Sequence, residues 1–428
     1  MNWMHWTCGV GLATSLCACN GDEPLATANG GDSTGGEASE PSAQPGSDDD
    51  AVDTPADETS TTTTSATTDA ADDESSGDDG TTTGEPPWNG EPLPDGDPGQ
   101  WQWVDVEGTE CIDGTPTGVG VRRGTGDGLV IYFEGGGGCF DAASCALFYA
   151  TFANFDENAF NLLVPTLLSG GIFDDEDTDN PVADWSMVYV PYCTGDVHAG
   201  DKDLGGVPGF LGSHQFVGYR NFGLDLERIG STFPEPSHVL VTGISAGGYG
   251  AALNYDRIAD AYAYSDAPIT LLDDSGPPMG ESVIPLCMQD LWTELWNLEQ
   301  VLPSDCEDCF GDEGWVRPLT HYLRDQHPDQ NFGLVSNLRD STIRTFLGAG
   351  QNDCAGGFIS GNQYQQALLD FRDEVVDDAP NWATFFVDGI GHTFLPFGSY
   401  ASTEVEGVEL RDWLGKLLSG TAEHHSDA

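Results

Sequence analysis

Cations are the scarcest feature of this chain. Its 428 residues include 13 Lys+Arg against 72 Asp+Glu, a formal net charge of −59. Lys202 and Lys416 are its two lysines, and residues 1–100 carry no lysine or arginine. From Trp101 onward, 51 acidic residues face those 13 basic ones, which leaves 38 net negative charges. Such a surface repels phosphate backbones and anionic lipid, so neither nucleic acid nor a membrane surface is expected as a partner. Self-repulsion of this kind is relieved by screening, and added salt is expected to stabilise the chain. Long apolar runs are missing as well, which argues against a membrane-spanning helix. So are internal repeats. Cys306-Glu307-Asp308-Cys309 has metal-site spacing, but it has neither a second C-x-x-C pair nor an H-x-H partner. Zinc is therefore not expected, and no cofactor is called for.

The N-terminus reads as an export signal. Val10-Gly11-Leu12-Ala13-Thr14-Ser15-Leu16 is a short apolar core, and Leu16-Cys17-Ala18-Cys19 has the form of a bacterial lipobox. Cys19 would then be acylated and become the mature N-terminus, the sole expected link to a membrane. Two features depart from that pattern: no Lys or Arg precedes the core, and a Cys occupies the second lipobox position. An ordinary cleaved signal is the alternative. Residues 20–100 are Gly, Ser, Thr, Asp, Glu and Pro, too polar to offset the entropy of ordering, and read as a disordered linker. Beyond them lie Cys111, Cys139, Cys145, Cys193, Cys287, Cys306, Cys309 and Cys354. In an exported chain this even count implies up to four disulfides, in a pairing the spacing does not reveal.

Residues 101–419 are long enough for one large domain, followed by a polar tail, 420–428. Leu129-Val130-Ile131-Tyr132-Phe133, Met187-Val188-Tyr189-Val190 and Ile269-Thr270-Leu271-Leu272 are short, almost continuously apolar runs, as in strands buried on both faces of a parallel sheet. Thr342–Leu347 and Thr384–Val387 are expected to be strands too, with helices over residues 219–229, 362–376 and 404–418. Residues 283–340 read as a helical insertion. The acidic loop with Asp175, Asp177 and Asp179 has calcium-loop spacing, but its twelfth position is Ser186 rather than Glu, so a solvated loop is expected. Strands alternating with helices predict an α/β fold, a mostly parallel sheet covered on both faces.

One stretch organises the rest. Val239-Leu240-Val241-Thr242 leads into Gly243-Ile244-Ser245-Ala246-Gly247, and a helical pattern follows. This is a G-x-S-x-G nucleophile elbow in its strand–turn–helix context. The turn would present Ser245 and aim the Ala246 N–H at whatever the serine attacks. After the Leu129–Phe133 strand, Glu134-Gly135-Gly136-Gly137-Gly138 is a loop of bare N–H groups suited to a developing oxyanion. A serine hydroxyl needs a base, and the base a carboxylate. Of the histidines after Ser245, His321 and His327 fall in the insertion, and His424 and His425 in the tail. His392 sits in a glycine-flanked turn after a late strand. The acid should follow a strand shortly before it, which selects Asp353, with Asp273, Asp274 and Asp388 as rivals.

Taken with Trp185–Asp196, Gln351-Asn352-Asp353 and Gly391-His392, these segments resemble the pectin acetylesterase/Notum family of serine esterases, over roughly Trp101 to Leu418. The resemblance implies an α/β-hydrolase fold and a Ser245–Asp353–His392 triad. It implies oxyanion donors at Gly136, Gly137 and Ala246. Many members carry an aromatic where this chain has Gly137 and Gly138, which suggests a more open pocket floor. The expected protein is an exported, monomeric serine esterase, acting on an O-acetylated glycan or another ester. A long-chain acyl-protein esterase, a thioesterase or peptidase on the same triad, and a non-catalytic binding protein on the same fold are the alternatives.

Overall fold

A computed structural model describes residues 87–148 and 152–428. The export signal, Cys19 and most of the expected linker lie outside the described residues. A nine-stranded sheet forms the centre. Its strands in chain order are β1 (Trp101–Glu110), β2 (Pro116–Arg122), β3 (Leu129–Phe133), β4 (Ser186–Val190), β5 (Val239–Ile244), β6 (Ile269–Asp274), β7 (Phe332–Asn337), β8 (Trp382–Val387) and β9 (His425–Ser426). Across the sheet they run β1-β2-β4-β3-β5-β6-β7-β8-β9. Both neighbours of β2 pair with it antiparallel, and the pairs from β4 through to β9 are parallel.

The continuous apolar runs are explained by burial on both sides. Ile131, Phe133, Val241, Leu271, Leu334 and Phe386 pack into one core, and Val130, Tyr132, Leu240, Leu272, Val335 and Phe385 into the other. Alternate residues of one strand thus feed two helical layers, the arrangement of an α/β-hydrolase. Register aligns the strand ends: Phe133 pairs with Gly243, Ile244 with Asp274, and Asp274 with Val335. The loops after β3, β5, β6, β7 and β8 therefore open along one edge of the sheet, where parallel α/β folds build their sites.

Four expectations change. Ser341–Leu347 is a helix, not a strand, because Asp340 caps it by accepting from the Thr342 and Ile343 N–H groups. The strand is instead β7, inside the segment read as a helical insertion; the helices Leu286–Trp296 and Val316–Gln326 of that segment do form. The end of the expected linker touches the domain at two points: Leu93 is buried, and Trp88 lies against Tyr262 and Tyr264. The polar tail supplies β9. Among the described residues four disulfides form: Cys111–Cys193, Cys139–Cys145, Cys287–Cys354 and Cys306–Cys309. The last joins the pair weighed as a metal motif. In the acidic loop, Asp177 and Asp179 are ion-paired with Arg411.

Among the described residues six carboxyl groups are buried: Glu134, Asp196, Asp225, Asp273, Asp274 and Asp340. Burial raises Glu134 to about 7, Asp225 and Asp273 to about 8, and Asp196 and Asp274 to about 6. Their folded pKa values lie above those of an unfolded chain, so the native state holds protons that the unfolded state releases. That contribution is complete below about pH 4 and is lost as pH rises through roughly 6–8. The melting temperature should fall between about pH 5 and pH 8.5, even at a salt concentration that screens surface repulsion. A flat or rising profile in high salt would contradict this account of the buried carboxyls.

Candidate active site

Ser245 sits where β5 breaks into the helix Ala246–Ala261, with φ 56° and ψ −120°. A non-glycine residue is strained there, and the surroundings hold it in place. The flanking glycines are a steric requirement. A Cβ on Gly243 would stand 2.3 Å from the Gly247 carbonyl oxygen, and one on Gly247 would stand 2.1 Å from that of Phe133. Only bare backbones allow the elbow to nest against the end of β3. Ala246 opens the helix, and its N–H belongs to the first turn, which has no intrahelical acceptor.

The glycine loop after β3 is pinned from behind. Tyr192 donates its hydroxyl hydrogen to the Gly137 carbonyl at 2.7 Å and accepts from the Val197 N–H at 2.9 Å. The Glu134 carboxyl accepts from the Tyr192 N–H, and the Cys139 N–H donates to Gly195. The loop crosses directly over the serine, since a Cβ on Gly135 would lie 3.3 Å from Ser245 Cβ. Ser245 Oγ donates to the Gly136 carbonyl at 3.5 Å. A planar trans peptide points its C=O and N–H in opposite directions. The Gly136–Gly137 unit therefore turns its oxygen, and not the Gly137 N–H, toward the serine. The Gly136 N–H, on the preceding peptide, and the Ala246 N–H are not constrained in this way. The space beside Gly138 is bordered by aromatic rings. Trp296 and Phe346 atoms lie 3.5 Å from where its Cβ would be, so at Gly138 the expected open floor is closed from the helical side.

The structure pairs His392 with a different acid from the one expected. Its Nδ1 donates to Asp340 Oδ2 at 2.7 Å, with the Asp340 side chain fully buried and His392 about one-fifth exposed. A carboxylate only accepts, so Nδ1 carries a proton, and in the neutral imidazole this leaves the lone pair on Nε2, the tautomer a base requires. Asp353 is exposed, at φ 54° in the turn tied down by Cys354, and takes no part in this pair. Asp340 follows a strand, as the acid was expected to, but that strand is β7. Asp388 is ion-paired with Arg339. A local signal did mark Asp340: Asp-Ser-Thr before an apolar run is a helix N-cap pattern.

Asp274, another rival, does something else. Its carbonyl accepts from the Ser245 N–H at 2.7 Å. Its carboxyl accepts from the Phe394 and Leu395 N–H groups at 2.7 and 2.8 Å and from Ser275 Oγ at 2.8 Å. One residue thus holds the elbow and the loop that carries His392. Among the described residues no hydrogen bond joins Ser245 Oγ to the His392 ring; such bonds are often open in unliganded sites.

Comparison with known proteins then places the chain. A family profile described as Pectinacetylesterase matches residues 102–316, half of its length. The chain belongs to that family. The palmitoleoyl-protein carboxylesterase NOTUM of Mus musculus is 29% identical over 178 residues, 39% of this chain and 33% of the mouse protein. Its Drosophila melanogaster namesake is 26% identical over 220 residues, covering 48% and 32% of the two chains. Pectin acetylesterase 4 of Arabidopsis thaliana is 27% identical over 176 residues, covering 40% and 41%. The match thus spans about a third to two fifths of these family members. It reaches the elbow and the glycine loop of the family domain, while Asp340 and His392 lie beyond residue 316.

Asp274→Ala would strip two buried N–H groups of their acceptor. A stability loss of about 2–4 kcal/mol is expected. At equal global stability, hydrogen exchange at Phe394 and Leu395 should quicken more than elsewhere. Unchanged protection at both amides would mean that another contact holds the loop.

Proposed function

We propose that the chain is an exported carboxylic-ester hydrolase, with Ser245 as nucleophile, His392 as its base and Asp340 as the carboxylate that orients His392. The observation that carries this reading is the 2.7 Å bond between His392 and the buried Asp340, on a loop tied by Asp274 to the serine's own backbone. Ser245 Oγ attacks the ester carbonyl carbon while His392 Nε2 takes its proton. The oxyanion is received by the N–H groups of Ala246 and Gly136. The imidazolium returns its proton to the departing alkoxide, which leaves an acyl-serine. Water, deprotonated by the same imidazole, then releases the acid.

Two local moves lead from the resting geometry to this sequence. The serine hydroxyl turns from the Gly136 carbonyl to His392. The Gly137 N–H joins the oxyanion hole when its peptide rotates, a freedom that consecutive glycines provide. Four disulfides support export, since such bonds persist in oxidising compartments. The relatives' names support ester chemistry but differ in acyl group. The rings beside Gly138 favour a short acyl group, and an O-acetylated glycan is the substrate we assign.

Hydrolysis of p-nitrophenyl acetate should fall on the order of 10⁶ in kcat for Ser245→Ala or His392→Ala, and roughly 10⁴ for Asp340→Asn. Asp353→Asn should leave kcat unchanged; a loss there matching that of Asp340→Asn would return the acid to Asp353. Long-chain esters turned over faster than acetate would overturn the short-acyl assignment.

A further inference from the structure

Val197 and His198, in the largely buried loop after β4, both adopt left-handed backbone, with φ 52° and 59°. Such a conformation is costly for a β-branched residue, and it persists where the surroundings over-determine it. The surroundings here are the two segments that build the oxyanion hole. Val197 donates its N–H to the Tyr192 hydroxyl at 2.9 Å, and that hydroxyl holds the Gly137 carbonyl. The His198 side chain is buried against the rings of Phe133 and Tyr192, whose centroids lie 5.1 and 4.7 Å away. Its Nε2 is 2.9 Å from the Glu134 carbonyl oxygen. A carbonyl only accepts, so Nε2 carries the hydrogen. Burial pushes the imidazole down to about 4, and the ring is neutral at neutral pH. With Nε2 committed to Glu134, His198 is no base for Ser245.

His198 also holds the other half of the site. Its main-chain carbonyl accepts from Asn254 Nδ2 at 3.1 Å, and Asn254 is buried in the helix that begins at Ala246. A Cβ on Gly250 of that helix would stand 2.8 Å from His198 Cδ2 and 2.9 Å from the Val197 oxygen, so the loop seats there against bare backbone. The loop is fixed in turn by Asp196, whose buried carboxyl accepts from Thr194 Oγ1 at 2.6 Å and from the Gly218 N–H at 2.8 Å. The Glu134 carbonyl belongs to the peptide just before the one that bears the Gly136 N–H. One residue therefore spans both donor segments, from the loop after β3 to the helix after β5. Oxyanion donors must converge on a single point, and a misplacement of about 1 Å costs on the order of 10²-fold in rate.

We propose, building on the esterase reading, that His198 is a positioning residue for the oxyanion hole: its Nε2–H on Glu134 and its main-chain carbonyl on Asn254 set the spacing between the Gly136 and Ala246 N–H groups.

The test is made on the full-length chain with p-nitrophenyl acetate. His198→Phe keeps a ring against Phe133 and Tyr192 but has no N–H for Glu134. Its kcat should fall roughly 10–100-fold with KM within about two-fold of wild type, and affinity for a boronic acid, a mimic of the tetrahedral intermediate, should fall in step with kcat/KM. His198→Gln, which returns an N–H near the Nε2 position, should recover most of the loss. The apparent pKa of the kcat/KM profile should stay where His392 sets it in both variants. A folded His198→Phe with wild-type kcat, a loss confined to KM, a moved pKa, or a Gln variant no better than Phe would each overturn the proposal. Should His198→Phe fail to fold, Asn254→Ser loosens the same contact from the helix side and should show the same loss in kcat alone; an unchanged kcat there would overturn it. If the wild-type chain turns over no ester, the esterase reading fails, and the spacing is then read from hydrogen exchange. At equal global stability the Gly136 and Ala246 amides should exchange faster in His198→Phe than in wild type, and unchanged exchange at both would overturn the proposal.

Discussion

Asp274 joins two loops that are nearly 150 residues apart in sequence, and the arrangement of the candidate site depends on that junction. Its main-chain oxygen receives the Ser245 N–H, while its carboxyl receives the Phe394 and Leu395 N–H groups. The strained elbow and the histidine loop are thereby referred to a single rigid point, the last residue of a central strand. Burial disfavours the charged carboxylate, and the three donors and nearby His392 favour it. Among those influences burial is the largest, so the group rests at about 6 rather than at the usual carboxylate value. A residue so placed is costly to leave unsatisfied, which is why its acceptor capacity is filled.

The same economy applies to the positive charges. In a chain with so few, arginines serve as internal ties more than as surface charge. Arg122 is buried and donates to the Phe173 carbonyl, and Arg257 lies beneath the rings of Tyr219 and Phe222. Arg411 gathers Asp177, Asp179 and Glu409, joining the acidic loop after residue 173 to the C-terminal helix. Arg220, Arg317 and Arg339 stay partly exposed, each beside a surface carboxylate. Hydrogen bonding to buried carboxyls sets the geometry of the candidate site.

Much of the fold was legible because its strands are buried on both faces. A run such as Leu129–Phe133 has no polar position to blur it, and the glycines around Ser245 are required by contacts only a bare backbone can make. Strand β7 was not legible. Phe332-Gly333-Leu334-Val335-Ser336-Asn337 mixes glycine and polar residues, since Gly333 makes room for Leu417 and Trp413, and Ser336 bonds the Asn337 carbonyl within the sheet. Thr342–Leu347 looked more like a strand, yet Asp340 caps it as a helix. The exchange of one strand for another put Asp340, rather than Asp353, against His392.

By itself the sequence determined the layered α/β plan, the strand–turn–helix elbow at Ser245 and the glycine loop after β3. Each of these is written in a contiguous segment whose backbone demands are local. The tertiary structure alone decided which carboxylate meets His392, how the eight cysteines pair, and that Asp274 binds both loops. Those outcomes depend on strand order and register, and a hydrogen bond between positions 340 and 392 leaves no periodic trace in either segment. The direction of the Gly136–Gly137 peptide was likewise decided in space. Four consecutive glycines permit many conformations, and only their packing against Tyr192 and Ser245 selects one.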